Sequence, residues 1–219
     1  MVRCIDPARY VLFFIQLTRC PRDAGLVLSS YLCTLSPEYS TSELPGTVPQ
    51  LPVLAKVLQR KSLNVLELGA GCGIVGISLA TAFPQLSHVL LTDLPEAAGI
   101  LTQNLSPAIL PLQTSSKLSH QVLDWSCPLS PNVKSTKWDL FVVADCTYNP
   151  DVVPDLVKTL ERLREESGGV VVLAMKVRHD SELVFFDLMS RSGFEVREKA
   201  KIPLPVLGGE GEEIEIFVF

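Results

Sequence analysis

Apolar residues fall into two patterns along this chain. One is the short unbroken run bounded by glycine or a polar residue, which reads as a strand buried on both faces. Residues 64–68 (NVLEL), 88–92, 121–123, 138–144 (WDLFVVA) and 170–175 are of this kind. The other is recurrence at three- and four-residue spacing, which marks a helix with one apolar face. It covers residues 23–32, 51–60, 73–83 and 95–105, and runs again from Val152 through Leu163 until Gly168 and Gly169 stop it. Asp23 is placed to cap the first of these helices. A further helix starts at a Ser181 cap, runs to Ser192 and ends at Gly193. Residues 194–199 and 214–219 read as the last two strands, and in the final one Ile214, Ile216 and Val218 share a face. Four prolines and Gly46 make residues 36–52 a loop.

Strand and helix therefore alternate over most of the chain. No helix is evident between the third and fourth strands, or between the last two. Such alternation predicts an α/β fold: a doubly wound, seven-stranded, mostly parallel sheet with helices on both faces. The terminal pair of strands is expected to join it as a hairpin-like, antiparallel addition. The chain has 219 residues, enough for one domain with a full core. Residues 23–219 carry the pattern, and residues 1–22 read as a divergent N-terminal extension.

Composition narrows the classes. The net charge of −5 argues against a strongly basic nucleic-acid surface, so no nucleic acid is expected as a partner. The apolar run over residues 10–17 is far short of the ~20 residues of a membrane span. Asp6 in its lead-in and the lack of a small-residue cleavage site argue against a secretory signal. The six cysteines form no C-x-x-C pair and read as reduced thiols of a cytoplasmic or nuclear protein. The three histidines, His88, His120 and His179, show no zinc-ligand spacing. A monomer is expected.

The chemistry sits at the first strand–helix turn, Glu67-Leu68-Gly69-Ala70-Gly71-Cys72-Gly73. Glycines there let backbone approach a ligand closely, and ligands of doubly wound sheets bind beyond the carboxyl ends of the strands. Asp93 ends the second strand about 20 residues on, where a carboxylate can accept hydrogen bonds from both ribose hydroxyls. Gly71, Gly73 and Gly76 also satisfy the dinucleotide pattern G-x-G-x-x-G. Glu67 decides between the two ligand classes. An acid just before the glycines repels a pyrophosphate and attracts the ammonium of a methionine moiety, which favours S-adenosylmethionine. Asp124 and Trp125 end the third strand as an acidic contact for the adenine amine with an aromatic wall beside it. Against these stand a solvated Glu67, a loop aspartate and a core tryptophan.

With those residues in view, VLELGAGCGIVGISLA, TDLPE, LDW and ADCTYN resemble the methyltransferase-16 family of seven-β-strand enzymes, from about residue 23 to 219. That family includes protein-lysine methyltransferases, among them fungal members that modify translation elongation factors. The resemblance implies a protein partner with an exposed lysine. It implies that Glu67, Gly69, Gly71, Gly73, Asp93, Asp124, Trp125 and Ala144 line the cofactor. It also implies that Asp145 and Tyr148, its D-x-x-Y set, line the methyl-transfer site. Cys146 and Thr147 stand where enzymes acting on planar nitrogens carry N-P-P-Y, which lowers the odds of nucleobase or glutamine methylation. One departure is that members carry a tryptophan before D-A-G-L, whereas Pro21 and Arg22 stand here. A small-molecule N- or O-methyltransferase, a cofactor-binding but inactive interaction module and, weakest, a nicotinamide dehydrogenase remain alternatives. Local structure could also explain Asp145 as a helix cap and Tyr148 as a core side chain.

Overall fold

The computed structural model describes residues 23–37, 49–107, 109–176, 184–203 and 213–219. The apolar runs form one sheet of strands β1 (Asn64–Leu68), β2 (His88–Asp93), β3 (Leu118–Val122), β4 (Leu140–Ala144), β5 (Val170–Met175), β6 (Glu198–Pro203) and β7 (Glu213–Val218). Their order is β3-β2-β1-β4-β5-β7-β6. The first five are mutually parallel, and β7 runs antiparallel to both β5 and β6. This is the doubly wound, mostly parallel seven-stranded sheet read from the sequence.

The helices are α1 (Asp23–Thr34), α2 (Pro52–Leu58), α3 (Ile74–Ala82), α4 (Ala98–Asn104), α5 (Leu112–Ser115), α6 (Pro131–Ser135), α7 (Val153–Ser167) and α8 (Val184–Arg191). Side chains of each strand alternate between two cores, as a pleat requires. Val65, Val89, Val142, Ala174 and Ile216 pack beneath α1–α4. Leu66, Leu90, Phe141, Leu173 and Phe217 pack beneath α6–α8. Ile214, Ile216 and Val218 do share the first of these faces.

Several boundaries differ from the sequence reading, each for a local reason. Strand β3 starts at Leu118, not residue 121, because pairing of Val89 with Leu118 sets its beginning. Its LSHQV sequence is half-buried and carries no clean apolar run. Strand β6 lies at 198–203, not 194–199. Phe194 is held by its own N–H on Met189 O and by the Arg164 guanidinium 4.0 Å above its ring. The charged EKAKIP strand is an edge whose Lys199 and Lys201 pair with Glu215 and Glu213. A helix does stand between β3 and β4: α6 is five residues long, too short to show periodicity, and Ser130 caps it. The segment expected as one helix over 95–105 opens with a 3₁₀ turn, Pro95–Ala97, before α4. Asp23 lies inside the first turn of α1 instead of capping it, where its charge still suits the helix dipole. Ser181 and the 1–22 extension lie outside the described residues.

Order in the sheet reverses at β1 and β4. The chain moves outward through β1, β2 and β3, then returns to place β4 on the other side of β1. Loops that leave β1 and β4 therefore part in opposite directions and open a crevice at the carboxyl ends.

Candidate active site

That crevice is a cleft of about 560 Å³, within the usual range for a small-molecule site. Glu67, Gly69, Gly71, Asp93, Asp124, Trp125, Ala144, Asp145 and Tyr148 all line it. Gly73 does not. It stands behind the cleft as the αL N-cap of α3 (φ 82°), where a Cβ would meet Leu91 at 2.9 Å and Leu101 at 3.1 Å. Leu94, Cys146, Val152, Asp155 and, from α1, Gly25 also line the cleft and were not singled out in the sequence. Nothing in their residue types marks them, since they come together only when the loops fold over the sheet.

The β1 turn is tied down on every side. Gly69 (φ 65°) and Gly71 (φ 57°) take the left-handed conformation that only glycine enters freely. Ala70 N–H donates to Thr92 O at 3.0 Å, and Thr92 Oγ1 donates to Glu67 O at 2.7 Å. Asn104 Nδ2 donates to Cys72 O at 2.8 Å. Gly71 N–H donates to Asp93 Oδ2, and Leu94 N–H to Asp93 Oδ1, both at 2.7 Å. The Asp93 carboxylate thus fixes the glycine turn as well as facing the cleft.

Glu67 is buried, and its Oε2 accepts from Gly76 N–H at 2.8 Å, three residues into α3. A Cβ on Gly76 would stand 2.2 Å from Leu91 and 2.7 Å from that oxygen. The third glycine of the dinucleotide-like pattern is thereby explained by helix–strand packing. Burial pushes the Glu67 carboxyl up to about 8, against the opposing pull of the Gly76 N–H, and the nearby Asp93 charge adds to the rise. Burial and the Asp93 charge thus favour the protonated carboxyl, and a cation bound beside it would favour the ionised one.

Asp124 is half-buried at the rim of the cleft, and its Oδ1 accepts from both the amide and the hydroxyl of Ser126. Those bonds, the hydroxyl first, hold its carboxyl below the usual range. Trp125 is half-buried, and its Nε1 is fully buried with no hydrogen-bond partner among the described residues. Trp138 is the core tryptophan, its Nε1–H donating to Val133 O at 2.8 Å.

The β4 side is built differently. Asp145 is buried and left-handed (φ 55°), a conformation aspartate tolerates better than most side chains. Its N–H donates to Ala174 O at 2.9 Å. Asp145 caps no helix, since α7 begins at Val153. Tyr148 is 52% exposed and so is no core side chain. Arg178, which follows the fifth apolar run in the sequence and is a residue type able to hold a substrate carboxylate, lies outside the described residues. Of the acidic stretch near the C-terminus, Glu213 and Glu215 pair with lysines of β6.

Five carboxyl groups face the cleft: Glu67, Asp93, Asp124, Asp145 and Asp155. No lysine, arginine or histidine does so among the described residues. A pyrophosphate would find no counter-charge here. A ligand with an ammonium, a sulfonium, ribose hydroxyls and an adenine would find acceptors for each. The glycine turn gives it room, and Trp125 leaves a buried donor unused. The residues therefore fit S-adenosylmethionine. No cluster of metal-binding side chains occurs among the described residues, and no helix among them is long and apolar enough to cross a membrane.

Comparison with known proteins agrees with this geometry. A family model described as lysine methyltransferase matches residues 21–192. A UPF0665 family protein of Schizosaccharomyces pombe is 32% identical over 163 residues, covering 74% of this chain and 43% of that protein. The EEF1A lysine methyltransferase 3 of Xenopus tropicalis is 32% identical over 133 residues, covering 60% of this chain and 56% of its own length. The chain thus spans about half the length of these relatives. Among solved structures, a TehB-like S-adenosylmethionine-dependent methyltransferase from Corynebacterium glutamicum superposes with a TM-score of 0.56 at 18% identity, over 98% of each chain. That last likeness is one of fold.

Proposed function

The chain belongs to the lysine methyltransferase family, and we propose that it transfers a methyl group from S-adenosylmethionine to a lysine side chain of a protein. The observation that carries this reading is the all-acid cleft at the β1/β4 reversal, with a glycine turn on one lip and Asp145 and Tyr148 on the other. Glu67 serves the ligand's ammonium, Asp93 its ribose, and Asp124 and Trp125 its adenine. Gly69, Gly71 and Ala144 give it space, and Gly73 supports the turn from behind. When bound, S-adenosylmethionine supplies an electrophilic methyl on a sulfonium.

The protein's own work is alignment and desolvation. A lysine side chain has an ordinary pKa near 10.4, so its nitrogen must give up a proton before it can react. The Asp145 carboxylate receives the incoming ammonium, and after the proton leaves for water it accepts a hydrogen bond from the remaining N–H. The Tyr148 ring and Val152 enclose the lysine stem as the partner surface covers them. The ring face also attracts the cation.

The four cysteines among the described residues, Cys33, Cys72, Cys127 and Cys146, are free thiols, which supports a reducing compartment, cytoplasm or nucleus. The name of the Xenopus relative makes a translation elongation factor the first acceptor to try. Calorimetric titration with S-adenosylmethionine, S-adenosylhomocysteine and NAD separates the cofactor classes. Binding of NAD alone would end the reading. Transfer of tritiated methyl to cell extract, resolved on a gel, should label protein bands. Label found only in small molecules would move the acceptor to a metabolite.

A further inference from the structure

The carboxyl ends of β1 and β4 meet at a single side chain. Cys146 follows Asp145, and its buried Sγ lies 3.2 Å from Ala144 O, 3.5 Å from Leu68 O and 3.8 Å from Gly69 O. A thiol has one proton, so it serves only one of these carbonyls at a time, and it donates weakly. Its main contribution is volume. A Cβ on Gly69 would come within 2.5 Å of Sγ, while its next neighbour, the Trp125 ring, would stand at 3.4 Å. The sulfur fills the space that a side chain at 69 would otherwise need. Gly69 belongs to the cofactor lip of the cleft, Asp145 and Tyr148 to the acceptor lip, and Cys146 lies between them.

We propose that Cys146 is a positioning residue whose sulfur seats Gly69 and fixes the height of the glycine turn against the Asp145 loop. This rests on the reading of the cleft as an S-adenosylmethionine site. The thiol is suited to be an inert spacer. Burial pushes it up to about 12, and the carboxyl groups of Asp93, Glu67 and Asp145 oppose a thiolate there. A larger side chain at 146 lifts the turn and a smaller one lets it sink. Either change alters the shape of the cofactor seat, and because Cys146 also belongs to the core beneath α6–α8 it costs some stability too.

A double-mutant cycle on the full chain tests this, with S-adenosylmethionine titrated by calorimetry into wild type, Gly69→Ala, Cys146→Ala and the double variant. Alanine at 69 is strained at φ 65° whatever stands at 146, so relief is expected to be partial. The double variant should bind at least about fivefold tighter than Gly69→Ala alone, because the sulfur that the new Cβ strikes is gone. Losses that simply multiply would overturn the proposal. Should Gly69→Ala not fold, judged by circular dichroism, Cys146→Val supplies the same information by raising the turn from below. Measured where circular dichroism shows the variant folded, it should weaken binding by about tenfold or more, beside the modest loss of stability that overpacking brings, and wild-type affinity there would also overturn the proposal. Cys146→Ser keeps a donor and should fall between wild type and Cys146→Ala. A wild type that binds no S-adenosylmethionine defeats the underlying reading as well. Multiplicative losses in a wild type that binds defeat this proposal alone.

Discussion

The two lips of the cleft are made on different terms. On the β1–β2–β3 lip every carboxyl group is already tied to backbone N–H groups: Glu67 to Gly76, Asp93 to Gly71 and Leu94, Asp124 to Ser126. On the β4 lip Asp145 is held in a left-handed turn, and the side chains beside it, Tyr148 and Val152, are 52% and 37% exposed. The first lip is held in place by the chain's own hydrogen bonds, as would suit the invariant ligand proposed for it. The second ends in exposed apolar surface, at Tyr148 and Val152.

Neutralising Asp145 should separate the lips most sharply. Asparagine tolerates the left-handed backbone as well as aspartate does, so Asp145→Asn removes charge without moving the chain. Methyl transfer, read as tritium incorporation, should fall on the order of 100-fold or more. Affinity for S-adenosylmethionine should stay within about threefold, because the proposed partners of its charged and polar groups lie on the other lip. Lost cofactor binding would place Asp145 on the first lip and dissolve the distinction. Asp145→Ala should lose transfer as well and should melt lower, by about 1 kcal/mol of backbone strain.

The opposite signature is expected from Asp93→Ala. It removes the acceptor proposed for the ligand's ribose, and with it the two N–H bonds that anchor the turn. At about 1.5–3 kcal/mol for a hydrogen bond to a charged group, affinity for S-adenosylmethionine should drop by roughly 10- to 100-fold. Transfer at saturating cofactor should change little. A fall in the saturated rate with unchanged affinity would reverse the roles of the two lips.

Much of the first lip could be read from sequence, because its residues follow strand ends in fixed order. Glu67, the glycines, Asp93, Asp124 and Trp125 each close a strand or open its helix, and the fold places such positions at the rim. Asp145 and Tyr148 came instead from the family resemblance, and both line the cleft. Reading from strand ends could not find Cys146, Asn104 or Thr92. Their roles are to touch turns remote in the chain, across 77, 32 and 25 residues, and spacing carries no trace of that. Nor could it foresee that Glu67 would be buried against Gly76, because charge is a property of surroundings and not of residue type. The edge strands β3 and β6 were misplaced for a related reason. Their polar sequences are held by pairing with β2 and β7, not by burial.

Glu67 allows a test within the first lip. Its carboxyl is raised from 4.5 to about 8, so the folded cleft keeps a proton that the unfolded chain releases above about 4.5. The stability from this group is complete below 4.5 and fades as pH climbs through 8. A cation beside Glu67 pulls the pKa down, so binding at pH 7 should expel a proton. Affinity for S-adenosylmethionine should rise by about tenfold between pH 6 and 8, levelling as the ligand's own α-amino group, near 8, begins to titrate. Calorimetry in buffers of unlike ionisation heat should register the released proton. Glu67→Gln should abolish both the release and this part of the pH dependence. A wild type that releases no proton would mean that the carboxyl is already ionised before binding or that the ligand does not touch it, and an unchanged affinity in Glu67→Gln would single out the second.

The smallest effects are expected at Tyr148, where they say most about the second lip. Half of this side chain faces water, so substitution should move stability by less than about 0.5 kcal/mol. Affinity for S-adenosylmethionine should stay within about twofold, since Tyr148 contributes to neither the glycine turn nor its tethers. What should change is the KM for the acceptor protein. Tyr148→Phe keeps the ring face and should raise it a few fold, while Tyr148→Ala loses the face and should raise it by about tenfold, the scale of a partly desolvated cation–π contact. If phenylalanine and alanine cost the same, the hydroxyl and not the ring is what the lysine meets. If either variant weakens the cofactor as much as the acceptor, the lips are not independent, and the exposed side of the cleft helps hold the ligand that the buried side was built for.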